Sequence, residues 1–210
     1  MIAIDLLATS LNRRDDIPNQ ELAKEIIASN RKNWVKELVK NLSHKDKNIQ
    51  SDCIKVLYEI GERGASKLIA PYWKEFLQLL ESKNNRLVWG AMTALHTIAL
   101  EKPGELFQNI AKIETAIQKG SVITIDGGVL ILAKLCSVNE YQKQLVPKLI
   151  DQLSKCPVKQ FPMYIEKSEI AMNASTKEDF KGIIEIRYKD LEKESQKKRV
   201  GKIIKKLEKI

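Results

Sequence analysis

The chain is poor in the residues that most reactive centres need. It has three cysteines and two histidines in 210 residues. Cys53, Cys136 and Cys156 are an odd number without metal-ligand spacing, which excludes a disulfide framework and a thiolate zinc site; they are expected to be reduced, buried small hydrophobes. His96 has no second histidine near it in sequence, since His44 falls in a turn of another segment, so no metal is expected. No nucleophile elbow, phosphate-binding glycine loop, paired-carboxylate motif or HExxH is present, and the expectation is a chain that is not an enzyme and carries no cofactor. Long apolar runs are also missing. The stretch Gly127 to Leu135 is far short of the roughly 20 residues a membrane span needs. The opening MIAIDLLATSLNRR places its arginines after the apolar residues, the reverse of a secretory signal, and points to a cytoplasmic protein.

What the chain has is a pattern repeated every 38 residues. Val56, Ala94, Leu132 and Ile170 fall into register; so do Leu57, Leu95, Ala133 and Ala171. The sets Ile60, Ile98, Cys136, Ala174 and Ile49, Leu87, Ile125, Met163 keep the same spacing. A period of roughly 20–50 residues marks stacked units that cannot bury their apolar faces alone. Each copy reads as two helices with a polar turn. The first has Trp34, Val35, Leu38, Val39 and Leu42, then Ile49, Cys53, Val56, Leu57 and Ile60. The second runs Ile69 to Leu80, then Leu87 to Leu100, closed by Pro103-Gly104. The third has Phe107, Ile110, Ile113 and Ile117, then a stripe ending near Cys136; the fourth runs Tyr141 to Leu153, then from about Phe161 to Ala174.

One stretch competes with this pattern. SVITI-DGG-VLILA has the look of a β-hairpin, yet the register sets Ile125, Val129 and Leu132 on a helical stripe, with a frayed or late start at Gly127 and Gly128. Before the repeats, Ile2 to Leu11 and Pro18 to Ser29 read as a helical hairpin cap. After them, Thr176 is placed to cap a helix carrying Phe180, Ile183, Ile184 and Leu191. The last stripe, Val200, Ile203, Ile204, Leu207 and Ile210, is out of phase with it and calls for a bend near Glu194 to Lys197.

Helix pairs of this length, Pro71 and Pro147 in equivalent first helices, and small or aliphatic residues at the second-helix core sites resemble the HEAT repeat family, within the armadillo-like α-superhelices. The resemblance covers about Arg31 to Ser175. Lys167 departs from it, standing where other copies have Cys53, Ala91 and Val129. It implies an all-α solenoid of about four helix pairs in one domain: a cap over 1–30, repeats over 31–175 and a helical extension over 176–210. Such proteins are mostly binding scaffolds that present their second helices on a concave surface.

At 100° per residue, the side of the second helices opposite the core carries Ser51, Lys55, Tyr58 and Glu62; Trp89, Thr93, His96 and Leu100; and Gly127, Ile131 and Lys134. Lys55, Tyr58, Trp89, Thr93, His96 and Lys134 are the candidate partner-binding residues. The aromatics would anchor a protein or peptide, and the lysines would draw an acidic one. The plainer reading of Trp89 is that it fills the seam between neighbouring repeats. Trp89 and Asp126 also invite comparison with the HEAT-like alkylpurine DNA glycosylases, and thus a nucleic-acid-binding or repair role, although Asp126 near a helix start is most simply a dipole-stabilising residue.

The net charge of +9 is uneven, for the segment 195–210 holds seven basic residues and one acid. The repeat body is close to neutral, which weakens the nucleic-acid alternative. That basic last helix is either a cap with solvated lysines or a surface for a membrane or partner.

Overall fold

The computed structural model describes residues 2–210, and every regular element among them is helical. The chain divides into two compact units, Met1–Gly128 and Val129–Ile210. The first holds α1 (Ile17–Ala28), α2 (Lys32–Lys40), α3 (Lys47–Ile60), α4 (Ser66–Ile69), α5 (Trp73–Leu79), α6 (Asn85–Ile98), α7 (Pro103–Gln108), α8 (Ile110–Lys119) and the start of α9 (Val122–Cys136). The remainder of α9 leads into the second unit's α10 (Asn139–Lys155), α11 (Phe161–Lys167), α12 (Lys177–Tyr188) and α13 (Glu194–Leu207).

The long helices α3, α6 and α9 are the second members of each pair, and they start where the repeat demands. Asp46 and Asn84, 38 apart, cap α3 and α6 by accepting from Asn48 N at 2.8 Å and Arg86 N at 3.1 Å. Each satisfies one of the amides that a helix start leaves without an intrahelical partner. The first helices are less regular than the pattern suggests. Ile69 to Leu80 is not one helix: Pro71, which has no N–H to donate, sits in a 3-10 turn, Ala70–Tyr72, between α4 and α5. Its counterpart is broken between α7 and α8 at Asn109, whose side-chain amide donates back to Glu105 O at 2.9 Å. Leu106 rather than Phe107 is the buried residue there.

Three of the four copies bury most of their stripes in register, with Ile125 of the third half-buried. Cys53, Ala91 and Val129 are sealed from solvent, as are Val56, Ala94, Leu132 and Ile60, Ile98, Cys136. The fourth copy slips. Helix α11 ends at Lys167 and the chain tightens into a 3-10 turn, Ser168–Ala171, which has three residues per turn and shifts the phase. Ile170 is consequently 47% exposed, and Lys167 and Ala174 face solvent. Ala171 keeps its expected place beside Leu57, Leu95 and Ala133 in the register, and Phe161, Tyr164, Ile165 and Ser168 fill the rest of the core there.

No hairpin forms at Ser121–Ala133. Helix α9 starts at Val122 and runs through both glycines. The glycines are there for proximity. A Cβ at Gly127 would stand 2.8 Å from Met92 Cγ, and one at Gly128 would stand 2.2 Å from Ile117 Cγ1. Gly90 repeats the device one unit earlier, with its hypothetical Cβ 2.7 Å from Ile54 Cγ1. Ile54 and Met92 are themselves one period apart, so α6 seats on α3 as α9 seats on α6.

The segment before α1 is not the expected helix over Ile2 to Leu11; it is a 3-10 turn, Ala3–Leu6, followed by turns. Its amides are claimed by side chains of other helices. Glu37 accepts from Ala3 N and Ile4 N at 3.0 and 3.2 Å, the fully buried Asn19 from Ala8 N at 3.0 Å, and Asp52 from Thr9 N at 2.7 Å. A segment whose donors are satisfied sideways gains little by bonding along its own axis.

In the second unit, Arg187 is only 6% exposed and closes the end of α10. Its guanidinium donates to the carbonyls of Leu153 (2.7 Å), Ser154 (2.6 Å) and Cys156 (2.8 Å) and to Asp190 (2.9 Å), and lies over the Phe161 ring at 5.1 Å. Helix α10 tolerates Pro147 in its interior without breaking. Thr176 stands at the N-cap of α12 but its side chain does not cap the helix: the hydroxyl donates to Ala171 O at 2.8 Å and accepts from Asn173 N. The chain breaks at residues 189–193, slightly before the expected bend, and α13 packs on α11 and α12. Val200, Ile203 and Leu207 are thereby buried, while Arg199 pairs with Glu166 and Lys206 with Glu169. The last helix thus lays most of its apolar stripe on α11 and α12, while Ile204 is half-buried and Ile210 is 47% exposed. Among the described residues no helix is long and apolar enough to cross one.

Three outcomes follow for stability. Gly90→Ala should lower the unfolding free energy by about 1–3 kcal/mol, because overpacking at Ile54 outweighs the gain in helix propensity. Gly201→Ala in α13, where an added Cβ meets nothing within 4 Å, should raise it by about 0.5–1 kcal/mol. Urea melts of the two variants give opposite signs if close approach is the reason for Gly90. Arg187→Ala should cost about 2–4 kcal/mol, since it strips buried carbonyls of their donor; an unchanged melting midpoint would remove Arg187 as the clamp of the second unit.

Candidate functional site

The approach that Gly90 permits also places its neighbour. Trp89 lies on the side of α6 turned toward α3, and its ring centroid is 5.7 Å from that of Tyr58, the planes tilted by 55°. Tilted pairs at this separation set a positive ring edge toward a negative ring face. Tyr58 is 7% exposed, whereas Trp89 is half-buried and keeps part of its ring open. Trp89 thus fills the α3–α6 seam and still offers surface. Burial raises the Tyr58 phenol above its ordinary range, with Lys55 pulling the other way.

One turn before Tyr58, the Lys55 ammonium sits 4.8 Å over the tyrosine ring. It is 2.8 Å from Glu59 and 3.6 Å from Asp16. Burial works against its charge, but hydrogen bonding to Glu59 and Tyr58 and their charges hold its pKa above the usual lysine range. Glu59 also takes Arg63 at 3.0 Å. Lys55 is therefore spent within the protein.

Beside these residues is an open cleft of about 590 Å³, floored by α3 and the first turn of α6 and walled by the segment from Ala8 to Asp16. That wall turns at Asn12, whose φ of 54° is left-handed, and returns through an Arg13 N to Ala8 O bond of 2.8 Å. Asp15 accepts both guanidinium bonds of Arg13, at 2.9 and 2.8 Å, and Ile17 N at 3.0 Å; the Arg13 hydrogen bond chiefly holds its carboxyl below the ordinary range. Asp52 takes Thr9 N and the Asn19 side-chain amide at 2.9 Å. Arg14 and Arg86 line the same cleft, exposed, and among the described residues no hydrogen bond or ion pair engages either guanidinium.

Of the residues singled out from the sequence, the structure brings Lys55, Tyr58 and Trp89 together here. Thr93 is buried one turn further along α6, and its hydroxyl donates to Trp89 O at 2.9 Å. His96 is half-buried nearer the end of α6, outside the cleft lining. Lys134 belongs to the second unit, where burial and then the charge of Lys167 lower its pKa. Asp126 is half-buried in α9 and does not line the cleft. Residues 12–16 and Arg86 were not anticipated as site residues. The signal was present in the charged tetrad Arg13-Arg14-Asp15-Asp16, which reads as a polar linker unless the return of the chain over α3 is known.

Reactive chemistry is thin. Burial pushes the Cys53 and Cys136 thiols up to about 12 and raises Cys156 as well, so none presents a thiolate near neutral pH. Among the described residues, no three histidine, cysteine, aspartate or glutamate side chains gather as a metal-binding group.

No protein-family model matches the chain, and no curated protein matches it. Solved structures do. Computationally designed armadillo repeat proteins for modular peptide recognition align at a TM-score of 0.63 and 15% identity, over 88% of this chain and 85% of theirs. A designed armadillo repeat protein in complex with the peptide (KR)4 aligns at 0.64 and 16%, over 89% and 85%. An engineered protein aligns at 0.64 and 18%, over 99% and 98%. At such identities the likeness speaks of architecture. The chain has the armadillo/HEAT-like repeat fold, all-α over nearly its full length.

Proposed function

We infer that this chain is a non-enzymatic interaction module that holds a peptide segment of a partner protein on the second-helix face of α3 and α6. The observation that carries this reading is the Tyr58–Trp89 pair, a rigid aromatic platform left partly open on the floor of a peptide-sized cleft. Tryptophan and tyrosine bring large contact area at small entropic cost, which is why they dominate binding hot spots. Lys55 supports the platform from beneath the tyrosine ring, and Thr93 steadies the Trp89 carbonyl. His96 extends the face along α6, and Lys134 is a separate contact on the second unit. The printed description of the similar designed proteins, modular peptide recognition, supports a peptide as ligand on this architecture. Three buried free thiols suit a reducing, cytoplasmic setting, with residues 1–210 acting as one repeat domain.

A nucleic-acid reading draws less support. A strand of phosphates needs a run of cations, and in this cleft Asp15, Asp16 and Asp52 stand among them.

The test is selection from a displayed random-peptide library on the wild-type protein and on Trp89→Ala, with thermal melts by circular dichroism to show that both fold. Clones enriched on the wild type should bind the variant about 30-fold or more weakly, the scale of losing a tryptophan hot spot. Enrichment of the same clones on both proteins would refute the platform.

A further inference from the structure

The residues lining the cleft are of both signs, but they do not present both signs equally to a ligand. Two of the three carboxylates are held by hydrogen bonds, Asp15 by a two-pronged bond from Arg13 and Asp52 by Thr9 N and Asn19, while Asp16 is exposed and only loosely paired, 3.6 Å from Lys55. Those bonds also occupy Arg13 and Lys55. Arg14 and Arg86 are what is left over. They stand on different walls, Arg14 on the returning N-terminal segment and Arg86 in the first turn of α6, three residues before Trp89 and on the same helical face. A guanidinium is a planar fork that matches a carboxylate with two parallel hydrogen bonds, and it is weakly hydrated enough to give up water for one.

Resting on the reading of this cleft as a peptide site, we propose that its occupant is an acidic stretch of polypeptide: an apolar or aromatic side chain laid against Trp89 and Tyr58, with carboxylates on either side meeting Arg14 and Arg86. A basic segment would find Asp16 alone without breaking the Arg13–Asp15 pair, and would have to lie beside Arg14 and Arg86 to reach it. A nucleic-acid strand brings one charge every ~3.4 Å along its axis, more than two guanidiniums neutralise. A peptide with a few spaced acids matches their number. The fold does not determine this sign, since a designed protein of similar architecture is in complex with the basic peptide (KR)4.

The experiment uses displayed random peptides retained by the full-length wild type but not by Trp89→Ala. Their sequences should be net acidic around an apolar residue, and synthetic copies should bind more weakly as salt is raised. The double variant Arg14→Glu/Arg86→Glu should bind them about tenfold more weakly, the scale of two exposed pairs lost and reversed, and should regain affinity for copies in which lysine replaces the acids. Trp89-dependent peptides that are neutral or basic, or that bind the double variant equally well, overturn the acidic occupant and leave the peptide site standing. Displacement of the acidic peptides by a lower concentration of single-stranded oligonucleotide also overturns it. Failure to recover any Trp89-dependent peptide removes the peptide site and this inference together.

Discussion

Where α6 lies against α3, the Ile54 side chain comes so near the α6 backbone that residue 90 has no room for a side chain, and most of what is distinctive in the first unit depends on that approach. Glycine in a helix interior costs about 1 kcal/mol against alanine. Here the cost is offset by dispersion contacts between backbone and the Ile54 side chain that any larger residue would forbid. The same trade recurs one period later with Gly127 on Met92. Because the approach occurs at the start of α6, it also determines what stands next to it. Trp89 is brought into ring contact with Tyr58, and the cleft floor is built by the same packing that joins the repeats.

The cleft wall depends on a different kind of constraint. Residues 2–16 contribute little regular structure of their own and are held by carboxylate and amide groups on α1, α2 and α3. Asp52 is the hinge of this arrangement, since it binds both Thr9 N and the buried Asn19 that in turn holds Ala8 N. Those bonds convert a stretch that reads as a loose cap into a positioned edge, and they consume negative charge that would otherwise face a ligand. The second unit uses one buried guanidinium in a comparable way, with Arg187 replacing water at the last carbonyls of α10.

The 38-residue period made the architecture legible because burial repeats with the helix: Cys53, Ala91 and Val129 needed only to be counted. It failed where tertiary contacts reset the phase. The periodic set predicted Ile170 inside, but a 3-10 turn after Lys167 rotates it into solvent. Pro71 was visible as a family feature, yet the period alone could not show that it divides one helix into two. The Asp-Gly-Gly of residues 126–128 carries a hairpin signature by local rules, and the contacts that make it helical, with Met92 and Ile117, lie 35 and 11 residues away in sequence. In the candidate site, the helical wheel put Lys55, Tyr58 and Trp89 on one side of their helices, because a face follows from spacing. It gave no sign of Arg14 and Arg86, which come to line the same cleft only because a segment folds back over α3.

The sign of a binding surface is likewise a matter of pairing more than of composition. Counting residues around the cleft gives acids and bases in similar numbers and suggests neutrality. Distances give another answer, because a carboxylate held by a fork of two hydrogen bonds at 2.8 and 2.9 Å has little left to offer, whereas an exposed guanidinium retains all five donors. Lys55 shows the reverse error. As a lysine on the predicted binding side it seemed the natural attractant for an acidic partner, but Glu59 and Asp16 already claim it, and its role is to hold Tyr58 and the wall together. A charge that structure has spent positions the surface, and a charge left unspent is the one a partner meets.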